Sequence, residues 1–292
     1  MKEINLKIGV FGDRGVGKTT FLTTLHGVLA NHLYNEFEVR YENDSTVTYL
    51  KNNFSKLLSE NIVDGTVGEY SIDFDLWYKK AGNEQKFKIS MKDFAGENIK
   101  VERHGIQTVV NFLSTCDAIL FFYSLTDKDK NQDEQNMFDF NTMLTRLTKL
   151  ENGARKTKKP FVLILTKSDE IVQQRNNEFD SLEAINQAIK GKIEDDGASL
   201  ISELSRFVEN FKIVSTSSYY ALEGFRRKAV KKIPIHVESS EIIEFPNYDV
   251  AFPITYILNQ KMKNVSDQDF FGRVFKYFSL LVLGVCFFFH IQ

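Results

Sequence analysis

The pattern of apolar and polar positions divides this chain into short strands and longer amphipathic helices. Two runs, Ala118 to Tyr123 and Phe161 to Leu165, are continuous and apolar, which is typical of parallel strands buried on both faces. Leu6 to Phe11 precedes them and Phe211 to Val214 follows them as further strands, with residues at helical spacing in between. Helices that alternate with buried strands predict an α/β protein with a doubly wound, mostly parallel sheet, and we expect Phe211 to Val214 to be its last strand.

Two segments, Tyr70 to Trp77 and Phe87 to Met91, alternate between apolar and polar residues with a period of two. A short turn over 81–83 lies between them, so we expect one antiparallel hairpin at the edge of the sheet. Phe37 to Tyr41 alternates in the same way, and a segment of helical spacing from Val47 to Leu58 follows it.

The same pattern indicates one domain followed by a separate C-terminal segment. We expect the domain to cover 1–264 and to close with a helix around Ile254 to Leu258. A linker and a hydrophobic segment follow over 265–292. Polar stretches between the predicted elements indicate insertions, which lie near 33–62, 126–136, 170–198 and 219–248.

Composition excludes several classes of protein. The 292 residues are 42% hydrophobic and 26% charged, close to an average soluble protein, which excludes global disorder and a polytopic membrane protein. The net charge of -2 supplies no general attraction to nucleic acid, so we expect no nucleic-acid partner. Cys116 and Cys286 cannot form a disulfide framework and lie in no cluster with metal-ligand spacing, which favours a cytoplasmic protein.

The strongest chemical signal is a glycine-rich loop between the first strand and the first helix. It matches the pattern G-x-x-x-x-G-K-S/T with Gly12, Asp13, Arg14, Gly15, Val16, Gly17, Lys18 and Thr19, and Thr20 follows in the helix. Glycines let backbone N–H groups turn inward around a phosphate, and the start of a helix adds positive potential. Lys18 can then reach the β- and γ-phosphates while the Thr19 hydroxyl binds Mg²⁺, so the loop predicts nucleotide binding.

A second signal, Asp93 to Glu97, follows the strand Phe87 to Met91. An aspartate at the end of a strand beside the phosphate loop can hold the magnesium shell. Gly96 offers a backbone N–H to the γ-phosphate with no side chain in the way.

A third signal follows the buried strand Phe161 to Leu165 and consists of Thr166, Lys167, Ser168 and Asp169. A carboxylate here can accept two hydrogen bonds from the N1–H and N2–H₂ edge of guanine, whereas adenine has no N1–H to donate. The aliphatic stem of Lys167 can cover the face of the base. This loop therefore predicts a preference for guanine.

Taken in order, these motifs resemble those of P-loop GTPases of the translation-factor-like and Ras-like class, over Lys7 to Asn264. The D-F-A-G-E sequence and the long insertion are also similar to bacterial GTPases associated with conflict or signalling systems. The resemblance implies the P-loop GTPase fold, GTP and GDP as ligands and Mg²⁺ as cofactor. It also implies a protein effector or activating protein as a partner.

The resemblance extends to residues outside the three motifs. It implies that Ser215, Thr216 and Ser217 form the loop whose backbone N–H meets guanine O6. It implies a switch I threonine that binds the metal, which we place at Thr66 because Thr66 follows a glycine and lies just before the strand that starts at Tyr70. The implied catalytic residues are Lys18, Thr66, Gly96 and Glu97.

Three residues depart from the family pattern. Thr166 replaces the more usual asparagine, as in dynamin-like GTPases, and loses an amide that helps to tie the base loop to the phosphate loop. Arg14 occupies a position that is often glycine, where a long cation either blocks a partner's arginine or substitutes for it. Glu97 stands where many members have the glutamine that orients the attacking water, and its negative charge predicts slow hydrolysis.

We therefore expect a GTP-binding molecular switch with Mg-dependent hydrolysis that is slow without a partner. One alternative is a scaffold that binds GTP and hardly hydrolyses it, which Arg14 and Glu97 favour. A P-loop ATPase or nucleotide kinase is the other alternative, although the sequence Thr166 to Asp169 would then have no role.

The segment from Tyr277 to Ile291 has no charged residue and follows Arg273 and Lys276. As a helix it would reach about 22 Å, short of the roughly 30 Å hydrocarbon core of a bilayer. Either it contacts a membrane and anchors a cytoplasmic protein, or it folds back on the domain or into a partner.

Overall fold

The computed structural model describes most of the chain. The described residues are 3–13, 15–31, 33–41, 44–59, 69–80, 83–94, 105–124, 130–151, 155–170, 182–196, 198–218, 238–247 and 249–263.

Strands and helices alternate through most of the described chain, as expected. The strands are β1 Ile4–Gly12, β2 Phe37–Tyr41, β3 Glu69–Lys80, β4 Asn83–Phe94, β5 Ala118–Ser124, β6 Phe161–Thr166, β7 Phe211–Thr216 and β8 Ile243–Asn247. The helices are α1 Lys18–Ala30, α2 Asp44–Leu58, α3 Gly105–Ser114, α4 Lys130–Leu150, α5 Leu182–Asp196, α6 Ala198–Phe207 and α7 over 252–263.

All the described strands join one sheet in the order β2-β3-β4-β1-β5-β6-β7-β8. Strand β3 is antiparallel to its neighbours β2 and β4, and the other neighbouring strands are parallel. The mostly parallel sheet and the β3–β4 hairpin are thus confirmed. The predicted strand Phe37 to Tyr41 is also confirmed and adds β2 outside the hairpin.

Aromatic contacts show that helices lie on both faces of this sheet. Phe121 and Phe122 are successive residues of β5, so their side chains point to opposite faces. Phe121 stacks on Phe140 of α4 with ring centroids 4.4 Å apart, whereas Phe122 meets Phe21 of α1 edge to face at 5.1 Å. The predicted doubly wound arrangement is confirmed.

The expectation that the sheet ends with Phe211 to Val214 is wrong, because β8 pairs with β7 in parallel. A buried ion pair holds the segment that contains β8: Lys212 Nζ lies 3.0 Å from Glu244 Oε1 and donates to the Ser239 carbonyl at 2.9 Å. Lys212 also donates to the Glu241 carbonyl. The five residues of β8 include Glu244 and Pro246, so the strand does not form an apolar run in the sequence.

Helices α1 and α2 approach each other closely at Gly27. A Cβ atom on Gly27 would lie 2.0 Å from the Phe54 ring, so any side chain here would displace that ring. The preceding residue, His26, is buried and meets Tyr41 edge to face at 4.7 Å. Burial lowers the pKa of His26 to about 4, because the charged imidazolium is poorly solvated there. The insertion near 33–62 is therefore packed directly on the helix that follows the glycine-rich loop.

The chain divides into two compact units, 1–253 and 254–292. The described part of the second unit is the helical segment 254–263, which confirms the predicted helix around Ile254 to Leu258. No helix among the described residues combines the length and the apolar character needed to cross a bilayer. The predicted boundary at 264 and the apolar segment from Tyr277 to Ile291 lie outside the described residues.

Candidate functional site

The glycine-rich loop joins the end of β1 to the start of α1. Gly15 and Gly17 have φ angles of +77° and +88°, in the left-handed region that favours glycine. Gly17 is the N-cap of α1, and the helix begins directly at Lys18. The loop therefore brings its backbone around the helix N-terminus, where the macrodipole favours an anion.

The side chain of Lys18 lies against this loop. Lys18 is only 7% exposed, and its Nζ donates to the carbonyls of Gly12 at 2.8 Å and Asp13 at 3.0 Å. A buried ammonium that is held by neutral carbonyls can exchange them for phosphate oxygens at little cost in desolvation. The structure thus places the ammonium of Lys18 against the backbone of the glycine-rich loop.

Thr19 and Thr20 lie in the first turn of α1, and the Thr20 carbonyl accepts a hydrogen bond from Thr24 at 2.8 Å. The backbone of Asp93 lies beside Val10 in the parallel pairing of β4 with β1, two residues before β1 ends at Gly12. This register confirms that β4 ends beside the phosphate loop. Four predicted site residues lie outside the described residues: Arg14, Thr66, Gly96 and Glu97.

Thr166, the last residue of β6, ties the predicted base loop to the phosphate loop. Its hydroxyl donates to the Val16 carbonyl at 2.5 Å and also lies 3.3 Å from the Tyr123 carbonyl of β5. Thr166 lacks the amide of the usual asparagine, but its hydroxyl still ties the two loops together. A hydroxyl on the shorter side chain reaches the same loop because β6 and the phosphate loop approach closely: a Cβ on Gly17 would lie 3.7 Å from the Thr166 Cβ.

The next residues fix the base loop to the end of β7. Asp169 accepts a hydrogen bond from the Ser217 hydroxyl at 2.7 Å, and the fully buried Ser168 donates its hydroxyl to the Thr216 carbonyl at 3.3 Å. Lys167 adopts a left-handed φ of +60°, which costs a side-chain-bearing residue about 1 kcal/mol. The bonds on both sides of Lys167 hold the loop in this turn, with the carboxylate of Asp169 fixed in direction.

Of the three residues predicted after the strand Phe211 to Val214, namely Ser215, Thr216 and Ser217, the one that touches Asp169 is Ser217. Ser215 and Thr216 are the last residues of β7, and both side chains are buried. Ser217 comes directly after the strand. The carboxyl ends of neighbouring parallel strands meet at one side of the sheet, which brings Ser217 beside the base loop.

The described residues hold no other evident reactive group. Cys116 is buried, and its burial raises the pKa of the thiol to about 12, so the thiolate is scarce at neutral pH. No group of three or more His, Cys, Asp or Glu side chains in the described ranges is arranged to hold a metal ion. The candidate site therefore lies at the carboxyl-terminal ends of β1, β4, β6 and β7.

Comparison with known proteins agrees with this location. A family model described as Double-GTPase 1 matches residues 10–218, which include all three motifs and Ser217. No curated protein matches the sequence.

Two similar solved structures are both of the S. cerevisiae Ski7 GTPase-like domain. The one bound to GTP has a TM-score of 0.49 at 14% identity and covers 89% of this chain and 50% of its own. The one bound to GDP and inorganic phosphate has a TM-score of 0.46 at 14% identity, with coverages of 81% and 47%. This chain thus spans about half the length of either.

Proposed function

Because this chain belongs to the Double-GTPase 1 family, we propose that it is a molecular switch that binds GTP and GDP and hydrolyses GTP slowly. The family match confirms the class of P-loop GTPases expected from the motifs. The observation that carries the proposal is the pair of hydrogen bonds that join three loops at one sheet edge, Thr166 to Val16 and Ser217 to Asp169. A phosphate loop and a base loop held to each other in this way define the two ends of one nucleotide.

The phosphates would lie in the loop between β1 and α1. Backbone N–H groups of the loop and the N-terminus of α1 favour the anion, and Lys18 supplies a positive charge at the β- and γ-phosphates. Lys18 now binds the carbonyls of Gly12 and Asp13, so it is already held near the place where it is needed.

We propose that a magnesium ion binds between the first turn of α1 and the end of β4. Thr19 supplies a hydroxyl and Asp93 a carboxylate, and oxygen donors of this kind suit Mg²⁺. Thr66 would complete the protein ligands when GTP is bound. The metal would neutralise charge on the phosphates, while Lys18 and the loop backbone hold them in place.

The base would be read by Asp169. Ser217 donates to one carboxylate oxygen of Asp169 and so orients the group, while Ser168 and Thr166 anchor the loop on either side of Lys167. A carboxylate held in this direction can accept from N1–H and N2–H₂ of guanine. Adenine lacks the N1–H, and an unpaired buried acceptor costs about 1–3 kcal/mol, so we expect GTP to bind about 5 to 150 times more tightly than ATP.

Hydrolysis would depend on the segment that follows Asp93. Gly96 offers a backbone N–H to the γ-phosphate, and Glu97 accepts a hydrogen bond from the attacking water. The negative charge of Glu97 beside the phosphate makes the reaction slow. Loss of the γ-phosphate would release Thr66 and Gly96, which is the conformational signal that a partner protein reads.

A single-turnover assay with radiolabelled GTP and ATP tests the proposal. We expect conversion of bound GTP to GDP and no comparable binding of ATP. Equal binding of the two nucleotides would instead support an ATPase. Tight GTP binding with no conversion over many hours would support a scaffold that remains in the GTP form.

Asp169→Asn tests base recognition within the same assay. The amide presents a donor where guanine also has a donor, so we expect GTP affinity to fall by more than tenfold and affinity for xanthosine triphosphate to rise. Glu170→Gln is the matched control, since Glu170 is the next carboxylate in the loop and lies 3.7 Å from Lys167 at the surface. Equal losses in both variants would remove the basis for assigning Asp169 to the base.

Lys18→Ala and Thr19→Ala test the phosphate end. The first removes positive charge at the phosphates and the second a metal ligand, so we expect both to abolish turnover. Thr19→Ala should in addition lose the dependence of GTP binding on magnesium concentration. Unchanged turnover in Lys18→Ala would show that the phosphate loop is assigned wrongly.

The apolar segment from Tyr277 to Ile291 leads us to place the switch in the cytoplasm with its C-terminus in contact with a membrane. Arg273 and Lys276 would meet the headgroups, and a helix would satisfy the backbone of the segment. Carbonate washing of membranes tests this: the full chain should stay in the pellet, and a chain without 277–292 should not. A full chain that washes off completely would show that the segment packs on protein instead.

A further inference from the structure

We propose that strand β2 is a self-association surface, through which two copies of this chain pair their sheets edge to edge around a two-fold axis. β2 is the outermost strand of the described sheet, and its pairing is with β3. The outer side of an edge strand carries a row of backbone N–H and C=O groups that can bind another strand. The sequence of β2, Phe37–Tyr41, decides which strand fits.

The register shows which backbone groups of β2 face outward. The Glu36 carbonyl accepts a hydrogen bond from the Lys79 N–H at 2.8 Å at the start of the antiparallel pairing with β3. Hydrogen-bonded pairs alternate along such a ladder, so the even-numbered residues of β2 bond to β3. The odd-numbered residues direct their backbone groups to the outer edge; these are Phe37, Val39 and Tyr41.

The sequence F-E-V-R-Y is complementary to itself about its centre, Val39. Antiparallel pairing of two copies about Val39 sets Val39 against its own copy and Phe37 against Tyr41, so every outward-facing residue meets another one. Each of these pairs can form the two hydrogen bonds of an antiparallel pair. The same register places Glu38 opposite Arg40 of the second copy, and the two-fold axis repeats this contact.

The charges on β2 distinguish this edge from one that is protected against pairing. Protected edges carry charges that would repel a second copy, whereas here each cross-strand pair joins opposite charges and is stabilising. Arg40 is 70% exposed, bonds to Glu38 at 2.9 Å and lies over the Trp77 ring at 4.7 Å. Its guanidinium is thus held beside the edge by its own chain, which lowers the entropy lost on pairing.

A strand of five residues buries less area than a standard protein interface of about 1,600 Å². The association should therefore be weak and should depend on concentration. Since a two-fold contact uses the same surface on both copies, it should stop at a dimer and not extend into filaments.

Sedimentation velocity of the full chain, over micromolar to millimolar concentrations, tests the proposal through charge reversal. Arg40→Glu places glutamates at both ends of each cross-strand pair, and Glu38→Arg places arginines there. We expect each single variant to be monomeric at concentrations where the unchanged chain forms dimers. An equimolar mixture of Glu38→Arg and Arg40→Glu should dimerise, because each arginine then meets a glutamate, and the double variant should dimerise alone.

Lys88→Glu on β4 is the matched control, since Lys88 is exposed, lies two strands from the edge and undergoes the same change of charge as Arg40→Glu. It should dimerise like the unchanged chain. GDP binding by every variant checks that it is folded. A chain that is monomeric at every concentration would overturn the proposal and leave the edge to another segment or another partner. A dimer that survives both single variants, or a mixture that fails to associate, would also overturn it.

Discussion

Replacing Thr166 by valine tests whether the base loop and the phosphate loop act as one unit. Valine keeps the shape of threonine but removes the hydroxyl that donates to the Val16 carbonyl at 2.5 Å and lies 3.3 Å from the Tyr123 carbonyl. Thr166 is 6% and Val16 2% exposed, so water has little access to the carbonyl that loses its donor. A buried acceptor left without a partner costs about 1–3 kcal/mol.

The loss of this hydrogen bond should lower both the stability of the protein and its affinity for nucleotide. We expect the free energy of unfolding to fall by about 1–3 kcal/mol in Thr166→Val. Loops that are no longer joined must be ordered again when a nucleotide binds both of them. The affinity for GDP should therefore also fall, by a factor between about 5 and 150 if the whole coupling free energy is lost.

Titration with a fluorescent GDP analogue measures the affinity, and urea unfolding measures the stability. Thr166→Ser is the matched control, because it keeps the hydroxyl and loses only a methyl group, and Thr166→Asn offers an amide donor at the same position. Both should bind GDP more tightly than Thr166→Val. If Thr166→Val binds GDP as tightly as Thr166→Ser, the hydroxyl does not couple the two loops and the reasoning is refuted.

Three further changes probe the fold around the site, each by urea unfolding. Gly27→Ala should lower the free energy of unfolding by about 1–3 kcal/mol, because its Cβ would enter the ring that α2 packs against α1. His26, with its pKa lowered to about 4, should make stability fall by up to about 3 kcal/mol as the pH drops from about 6.5 to 4, since the unfolded chain takes up the proton first. Lys212→Met should cost about 3–5 kcal/mol by leaving the buried Glu244 carboxylate unpaired.

Each of these changes has a control. Gly191→Ala lies in helix α5 with no atom within 4 Å of the new Cβ, so it should be neutral or slightly stabilising, and an equal loss at Gly27 and Gly191 would contradict the packing argument. His26→Gln should flatten the pH dependence; an unchanged slope would exclude His26 as its source. The double variant Lys212→Met with Glu244→Leu should regain most of the stability, whereas additive losses would show that the ion pair is not the cause.

Most of the sheet could be predicted because its strands follow clear apolar patterns. β5 and β6 are continuous runs of buried residues, and β3 and β4 alternate with a clear period of two. The glycine-rich loop was predictable for a different reason: a left-handed turn at Gly17 requires a residue type that is visible in the sequence.

Strand β8 could not be predicted in the same way, because its place in the sheet depends on partners far away in the chain. Glu244 is buried only because Lys212 neutralises it from β7 and Ser239 donates to it from the preceding segment. A buried charged residue reads as a surface residue until its partner is known. Pro246 also argues against a strand at this position. It is tolerated because β8 lies at the edge of the described sheet.

The bonds that assemble the candidate site were missed because each joins a side-chain hydroxyl to a backbone carbonyl or a carboxylate of another segment. Thr166, Ser168 and Ser217 each use one short hydroxyl, and no periodicity or spacing reveals which carbonyl or carboxylate it will meet. By residue type alone, Thr166 lacks the amide of the usual asparagine. In the structure, its hydroxyl makes the contact with the phosphate loop. A hydroxyl has a single proton to donate and a short reach, so each contact forms only where two strand ends approach closely. The packing of β1, β5, β6 and β7 sets that approach. The precision of the site therefore comes from the sheet beneath it, and a change that shifts one strand end should weaken nucleotide binding even where no site residue is altered.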